Sequence, residues 1–132
     1  MHPIEPLLIA LAAIIIHEIF HYIPHIVMKT EFKRFVVSIK SIGFQISNKF
    51  MKDNTKITVV YLLPLSLSAV LFIDPYAPRI FVFGVVNFLW GLIDITTLVS
   101  LLTKSPQERV DWADRLDQKN GEKAIIDLSI SN

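Results

Sequence analysis

The chain contains no cysteine. Disulfides and thiolate metal ligands are therefore excluded, and any zinc must be held by histidine and carboxylate. Charge is also sparse. Charged residues make up 19% of the sequence and the formal net charge is +1, so nothing directs the chain to nucleic acid. Histidine is scarce, with four in all, too few for an integral-membrane oxidase built on His-rich helices. There is no internal repeat and no low-complexity linker. The stretch from Met1 to Pro6 carries no Lys or Arg, and no small-residue cleavage site follows, so a cleaved signal peptide is not expected. What the chain has in quantity is apolar. Hydrophobic residues reach 52% and the mean hydropathy is +0.50, above the range typical of soluble domains. By length it is one domain.

The apolar residues fall into three runs, at about 7–28, 57–73 and 80–102. The first is roughly 22 residues, or about 33 Å of helix, enough to cross a bilayer core. Pro24 lies one turn from its far end and is expected to kink or end it. The second is short and interrupted by Pro64. A tight polar turn, Asp74 to Arg79, leads to the third. The expected fold class is an α-helical membrane protein with three transmembrane helices, a short cytoplasmic β-hairpin or small sheet, and a C-terminal amphipathic tail.

The segment between the first two runs carries Lys29, Lys33, Arg34, Lys40, Lys49, Lys52 and Lys56, whereas the turn after the second run holds only Arg79. The positive-inside rule then puts the N-terminus outside and the basic loop and C-terminus in the cytoplasm. Phe35, Val37 and Ile39 alternate with Val36, Ser38 and Lys40, and Phe44 and Ile46 with Gln45 and Ser47. A β-hairpin over about 34–48, with Gly43 in the turn, is expected at or above the membrane surface, because open strand edges are not tolerated in hydrocarbon. In the tail (105–132), Ser105-Pro106-Gln107-Glu108 is a capping box with Pro at the first helical position. A short helix should run to about Lys119, present Trp112 and Leu116 on one face, and stop at Gly121. Ile126, Leu128 and Ile130 then alternate with polar residues, which suggests a strand that could join the hairpin. The core is thus 1–104 and the tail 105–132.

The chemistry concentrates in His17-Glu18-Ile19-Phe20-His21 of the first run. Residues four apart stack on one helix face, so His17 and His21 can share one zinc ion. Glu18 can lean to the open coordination position and act as general base. Polar groups inside a lipid-spanning helix are costly, roughly 2.5–3.5 kcal/mol for a central ionised residue even on gentle scales. That cost argues for a use. A third ligand is needed. Glu5 and Asp74 lie at the opposite surface. Asp94 lies roughly 14 Å from the basic end of the third run, level with His21 at about 10 Å and His17 at about 16 Å. Asn87, two turns earlier on the same face, is assigned to holding substrate backbone or orienting the site. His25 continues the four-residue series and is an alternative ligand, but stands about 12 Å along the helix from His17. Trp90 and Trp112 are expected as packing or interfacial anchors.

A span with His-Glu-x-x-His, a basic strand-forming segment, a short span, and a span with an inward-facing Asp resemble the three-helix core of the site-2 proteases. The likeness is closer still to small zincin-like membrane peptidases related to them. The family's metal-binding Asp is commonly followed by Gly; here Ile95 follows Asp94. The resemblance implies an intramembrane zinc metalloprotease in which one Zn2+ is bound by His17, His21 and Asp94 and Glu18 is catalytic. It implies a membrane-protein or peptide substrate, which an extended segment could present by adding to the hairpin edge. A homo-oligomer is an open expectation. The rival expectation is a zinc-binding membrane scaffold or regulatory subunit without proteolysis.

Overall fold

The computed structural model describes residues 2–72, 74 and 76–130, with only the backbone at 70–72. The chain is mostly helical, with one small antiparallel sheet. Helix α1 spans Glu5–Val27 and helix α3 spans Pro78–Leu102; each has a proline in its first turn, where the missing N–H is harmless. Both are long and apolar enough to cross a membrane. Only 11% and 22% of their apolar windows are buried within the protein. Most of their apolar faces are therefore not covered by the rest of the protein. α1 packs along α3, and Arg79 bonds Glu5 at 2.8 Å, tying their N-terminal ends together.

Pro24 does not end α1. The helix runs on to Val27, with Pro24 buried and its carbonyl accepting from Met28. The second apolar run behaves differently. Helix α2 covers only Asn54–Leu62, started by Asp53 accepting from the N–H groups of Thr55 and Lys56. From Leu63 the chain tightens into a 3₁₀ segment, Leu63–Phe72. The cause is Pro64, which has no N–H to give to the carbonyl four residues back. The expected end of that run at Ile73 lies outside the described residues.

The hairpin is formed by β1 (Phe32–Val37) and β2 (Ile42–Ile46), with an irregularity between Phe32 and Arg34. Its turn is not at Gly43. Ser38 N–H bonds Ser41 O at 2.7 Å, and the turn is closed there by the two serine hydroxyls. Gly43 pairs with Val36 inside the ladder. Its missing side chain admits Tyr22 of α1, whose hydroxyl would lie 2.5 Å from a Cβ. Strand β3 (Ile126–Ser129) pairs antiparallel with β1, giving the order β2-β1-β3. The tail strand thus joins the hairpin as expected, and β2 is left as an edge.

Helix α4 runs Pro106–Glu122, opened by Ser105 accepting from Glu108 N–H. It passes through Gly121 rather than stopping there. Gly121 instead makes room for Arg34, whose Nη2 would sit 2.6 Å from a Cβ. The packed core lies at the basic end of the bundle. Phe50 and Met51 of the 3₁₀ turn Asn48–Lys52, Ile57 and Val60 of α2, Leu98 and Leu101 of α3 and Ala113 of α4 meet there. Arg109, only 3% exposed, fastens α4 to this core: it donates to Leu101 O at the end of α3, to Met51 O, and to Asn54 Oδ1. Hydrogen bonds from a charged donor are worth roughly 1.5–3 kcal/mol each.

α4 is tied to the 3₁₀ turn by Asn48, which donates to Asp114 and Asp117, and to β2 by Gln45, which donates to Asp117 O. Burial pushes the Asp117 carboxyl above its ordinary value of 3.8, more than the Asn48 hydrogen bond lowers it. A carboxyl with a raised folded pKa burdens the folded state above that pKa and is neutral below the unfolded value. Asp117→Asn should therefore raise the thermal midpoint at pH 7, since the amide oxygen still accepts from Asn48. The gain should vanish as pH falls to about 3.8, and a gain independent of pH would show that charge burial is not its source.

Candidate metal centre

Side chains of α1 and α3 converge on one point beyond the middle of α1. His17 and His21 project from successive turns of α1, with ring centroids 5.1 Å apart. Asp94 comes from α3. Its Oδ2 lies 2.5 Å from His17 Nε2 and 3.0 Å from His21 Nε2. One ligating atom from each residue lies within 4.8 Å of the others, a group that could hold a metal ion. His17 is fully buried, whereas the His21 and Asp94 side chains are 15% and 16% exposed. The group is sealed on one side and reachable on the other.

The outer nitrogens decide what the inner ones present. Asn87, fully buried, donates its amide to Pro64 O at 3.1 Å and Ser68 Oγ at 2.9 Å. Its Oδ1 is thereby the atom that faces His17 Nδ1 at 2.9 Å, so Nδ1 is the donor. His21 Nδ1 lies 2.8 Å from Val60 O, which can only accept. Val60 is four residues before Pro64. In a continuous α-helix its carbonyl would take the N–H of residue 64, and proline leaves it free. The break in the second apolar run thus supplies both backbone acceptors, Val60 O for His21 and Pro64 O for Asn87. Gly91 lets that segment approach α3: a Cβ there would lie 2.4 Å from Leu65 Cδ1.

With Nδ1 engaged in both rings, each Nε2 is turned to the same carboxylate oxygen. Two imidazoles and one carboxylate are a donor set that fits a zinc ion with an open coordination position. The His17–Asp94 separation is shorter than the roughly 3.3 Å between ligands of a tetrahedral ion with bonds of about 2.0 Å.

His25 does not join this group. It stacks edge-on against Phe50 at 4.6 Å, and its Nδ1 lies 3.3 Å from Thr30 Oγ1. Glu18 receives the indole N–H of Trp90 at 3.0 Å, so Trp90 is more than a packing anchor. Asn87 orients His17. A cavity of about 380 Å³ opens from the centre toward the sheet and α4. Glu18, His21 and Asp94 line its inner end; Phe44 of β2 and Trp112 and Leu116 of α4 line the outer part. Spacing and depth pointed to His17, His21 and Asp94, which the structure brings together, but not to their holders Val60, Pro64 and Ser68. The available signal for Val60 was a proline four residues further on.

The chain matches no protein-family profile, no curated protein and no solved structure.

Nitrogen-15 NMR of imidazole-labelled protein at neutral pH should show the Nδ1–H form for both His17 and His21. Pro64→Ala restores an N–H that competes for Val60 O, so His21 should become a tautomer mixture while His17 is unchanged. Nε2–H forms in the wild type would contradict the arrangement.

Proposed function

We propose that the protein is an intramembrane zinc metallopeptidase that hydrolyses a peptide bond of a membrane protein within or near the bilayer. The single observation that supports this best is the convergence of His17, His21 and Asp94 with their outer atoms already bonded, and Glu18 beside them on the cavity wall. The motif's resemblance to the site-2 proteases agrees with it. α1 and α3 cross the bilayer, and α2 with its 3₁₀ continuation makes a third, irregular crossing, tolerated because it is packed against α1 and α3. The basic segment, the sheet and α4 lie on the cytoplasmic side.

His17, His21 and Asp94 would hold one zinc ion, which when bound would supply Lewis acidity at the scissile carbonyl. Asn87 and Val60 hold both rings by Nδ1 with Nε2 aimed inward. Glu18 takes the proton of the attacking water and delivers it to the leaving amine nitrogen. The cavity brings water from the sheet side. A helical substrate must first become extended, and β2 offers an edge for it. Ser38 and Ser41 close the ladder, and Phe44 N–H turns outward to Tyr22 at 3.1 Å. By antiparallel alternation Ile42 also turns its backbone groups outward. A strand adding there displaces the Tyr22 hydroxyl and runs along the cavity toward Glu18.

The test is zinc content and cleavage of quenched-fluorophore peptides with an extended apolar segment, on protein in lipid nanodiscs. Wild type should hold one zinc and cleave. Glu18→Gln should keep the zinc and lose at least a hundredfold in rate. Asp94→Ala should lose zinc, and His25→Ala should keep it. Zinc without cleavage in every variant, wild type included, would point instead to a scaffold. Zinc lost with His25→Ala and kept with Asp94→Ala would overturn the ligand set.

Ile42→Pro removes an outward N–H from the β2 edge. It should lower cleavage about tenfold with zinc retained; unaltered cleavage would remove the strand-addition step.

A further inference from the structure

We propose that Trp90 is a positioning residue for Glu18, holding one carboxylate oxygen so that the other serves the cavity. The inference rests on the peptidase reading above. Trp90 sits one turn before Asp94 on α3, so the two share a face. Glu18 directly follows His17 on α1. The indole N–H reaches across the α1–α3 seam and meets Glu18 Oε1 at 3.0 Å. Among the described residues no other hydrogen bond or ion pair to the Glu18 side chain is present.

The placement is asymmetric. Glu18 forms part of the cavity wall, whereas Trp90 does not. The indole engages Oε1, and among the described residues Oε2 has no hydrogen-bond partner. An indole donates and cannot accept. It can hold the base without competing for the proton that the base must carry. A glutamate side chain is long and costly to immobilise, and a base displaced by an ångström loses much of its effect. Position 18 also lies in an apolar stretch, where a carboxylate without a donor is expensive. Phenylalanine at 90 would keep much of the ring's bulk and remove only the donor.

The probe is acetohydroxamic acid, a metal chelator that shares its hydroxyl proton with a carboxylate beside the metal. The full chain in nanodiscs, loaded with zinc, is compared as wild type, Trp90→Phe, Glu18→Gln and the double variant. Zinc stoichiometry should be equal in all four. Trp90→Phe should weaken acetohydroxamate about tenfold. In the Glu18→Gln background the same change should cost nothing further, because a positioning residue has no effect without the group it positions. Additive losses, or wild-type affinity in Trp90→Phe, would overturn the proposal while leaving the zinc site standing. Wild type without zinc would remove the peptidase reading and this inference together. Should Trp90→Phe fail to fold, the indole nitrogen-15 resonances decide. Glu18→Gln should shift the Trp90 signal and leave that of Trp112 in place, and an unmoved Trp90 signal would overturn the contact.

Discussion

The structure depends on one electrostatic constraint. Two imidazole nitrogens and a carboxylate oxygen, drawn from α1 and α3, meet at 2.5 and 3.0 Å, a group that could hold a metal ion. Such a cluster keeps its geometry only while the outer atoms of both rings are held. Asn87 and the Val60 carbonyl hold the rings, and Pro64 and Ser68 hold Asn87. Pro64 acts twice, through the carbonyl it frees at Val60 and through the carbonyl it bears. Irregular backbone in an apolar setting is tolerated where its polar groups find partners inside the protein, and here those partners are the candidate site.

The remainder of the chain keeps this arrangement in register with an aqueous face. The packed core is at the basic end, where Phe50, Met51, Ile57, Val60, Leu98, Leu101 and Ala113 meet. Arg109 ties α4 to the ends of α3 and α2, Gln45 ties it to β2 and Asn48 ties it to the 3₁₀ turn that follows. The cavity between these parts reaches Glu18, His21 and Asp94. In the proposed hydrolysis it is the path of water and of an extended peptide. Tyr22, one residue beyond His21, connects the ligand-bearing helix to the strand edge through Phe44 N–H.

The sequence was most readable where periodicity carries the information. Four-residue spacing on an apolar helix placed His17 and His21 together, and depth along the third apolar run placed Asp94 beside them. Alternation located β1, β2 and the added strand β3. Proline and glycine were harder, because each was read for its local conformation. Gly43 and Gly121 were expected as turn and stop. In the structure they are points of close approach, for Tyr22 and Arg34, and a neighbour distant in sequence cannot be read from local pattern. Pro24 was expected to disturb α1 and is carried within it. Pro64 was read as an interruption, when its consequence lay at the carbonyl four residues back. Trp90 lies one turn from Asp94, yet nothing local showed that its N–H would find Glu18.

The most direct measurement is zinc K-edge X-ray absorption on the full-length protein in lipid nanodiscs. Ligation of one ion by His17, His21 and Asp94 predicts two imidazoles and oxygen donors at about 2.0–2.1 Å, with the signal lost in Asp94→Ala. A protein that takes up no zinc, or a spectrum fitted by three imidazoles and unchanged in Asp94→Ala, would contradict it.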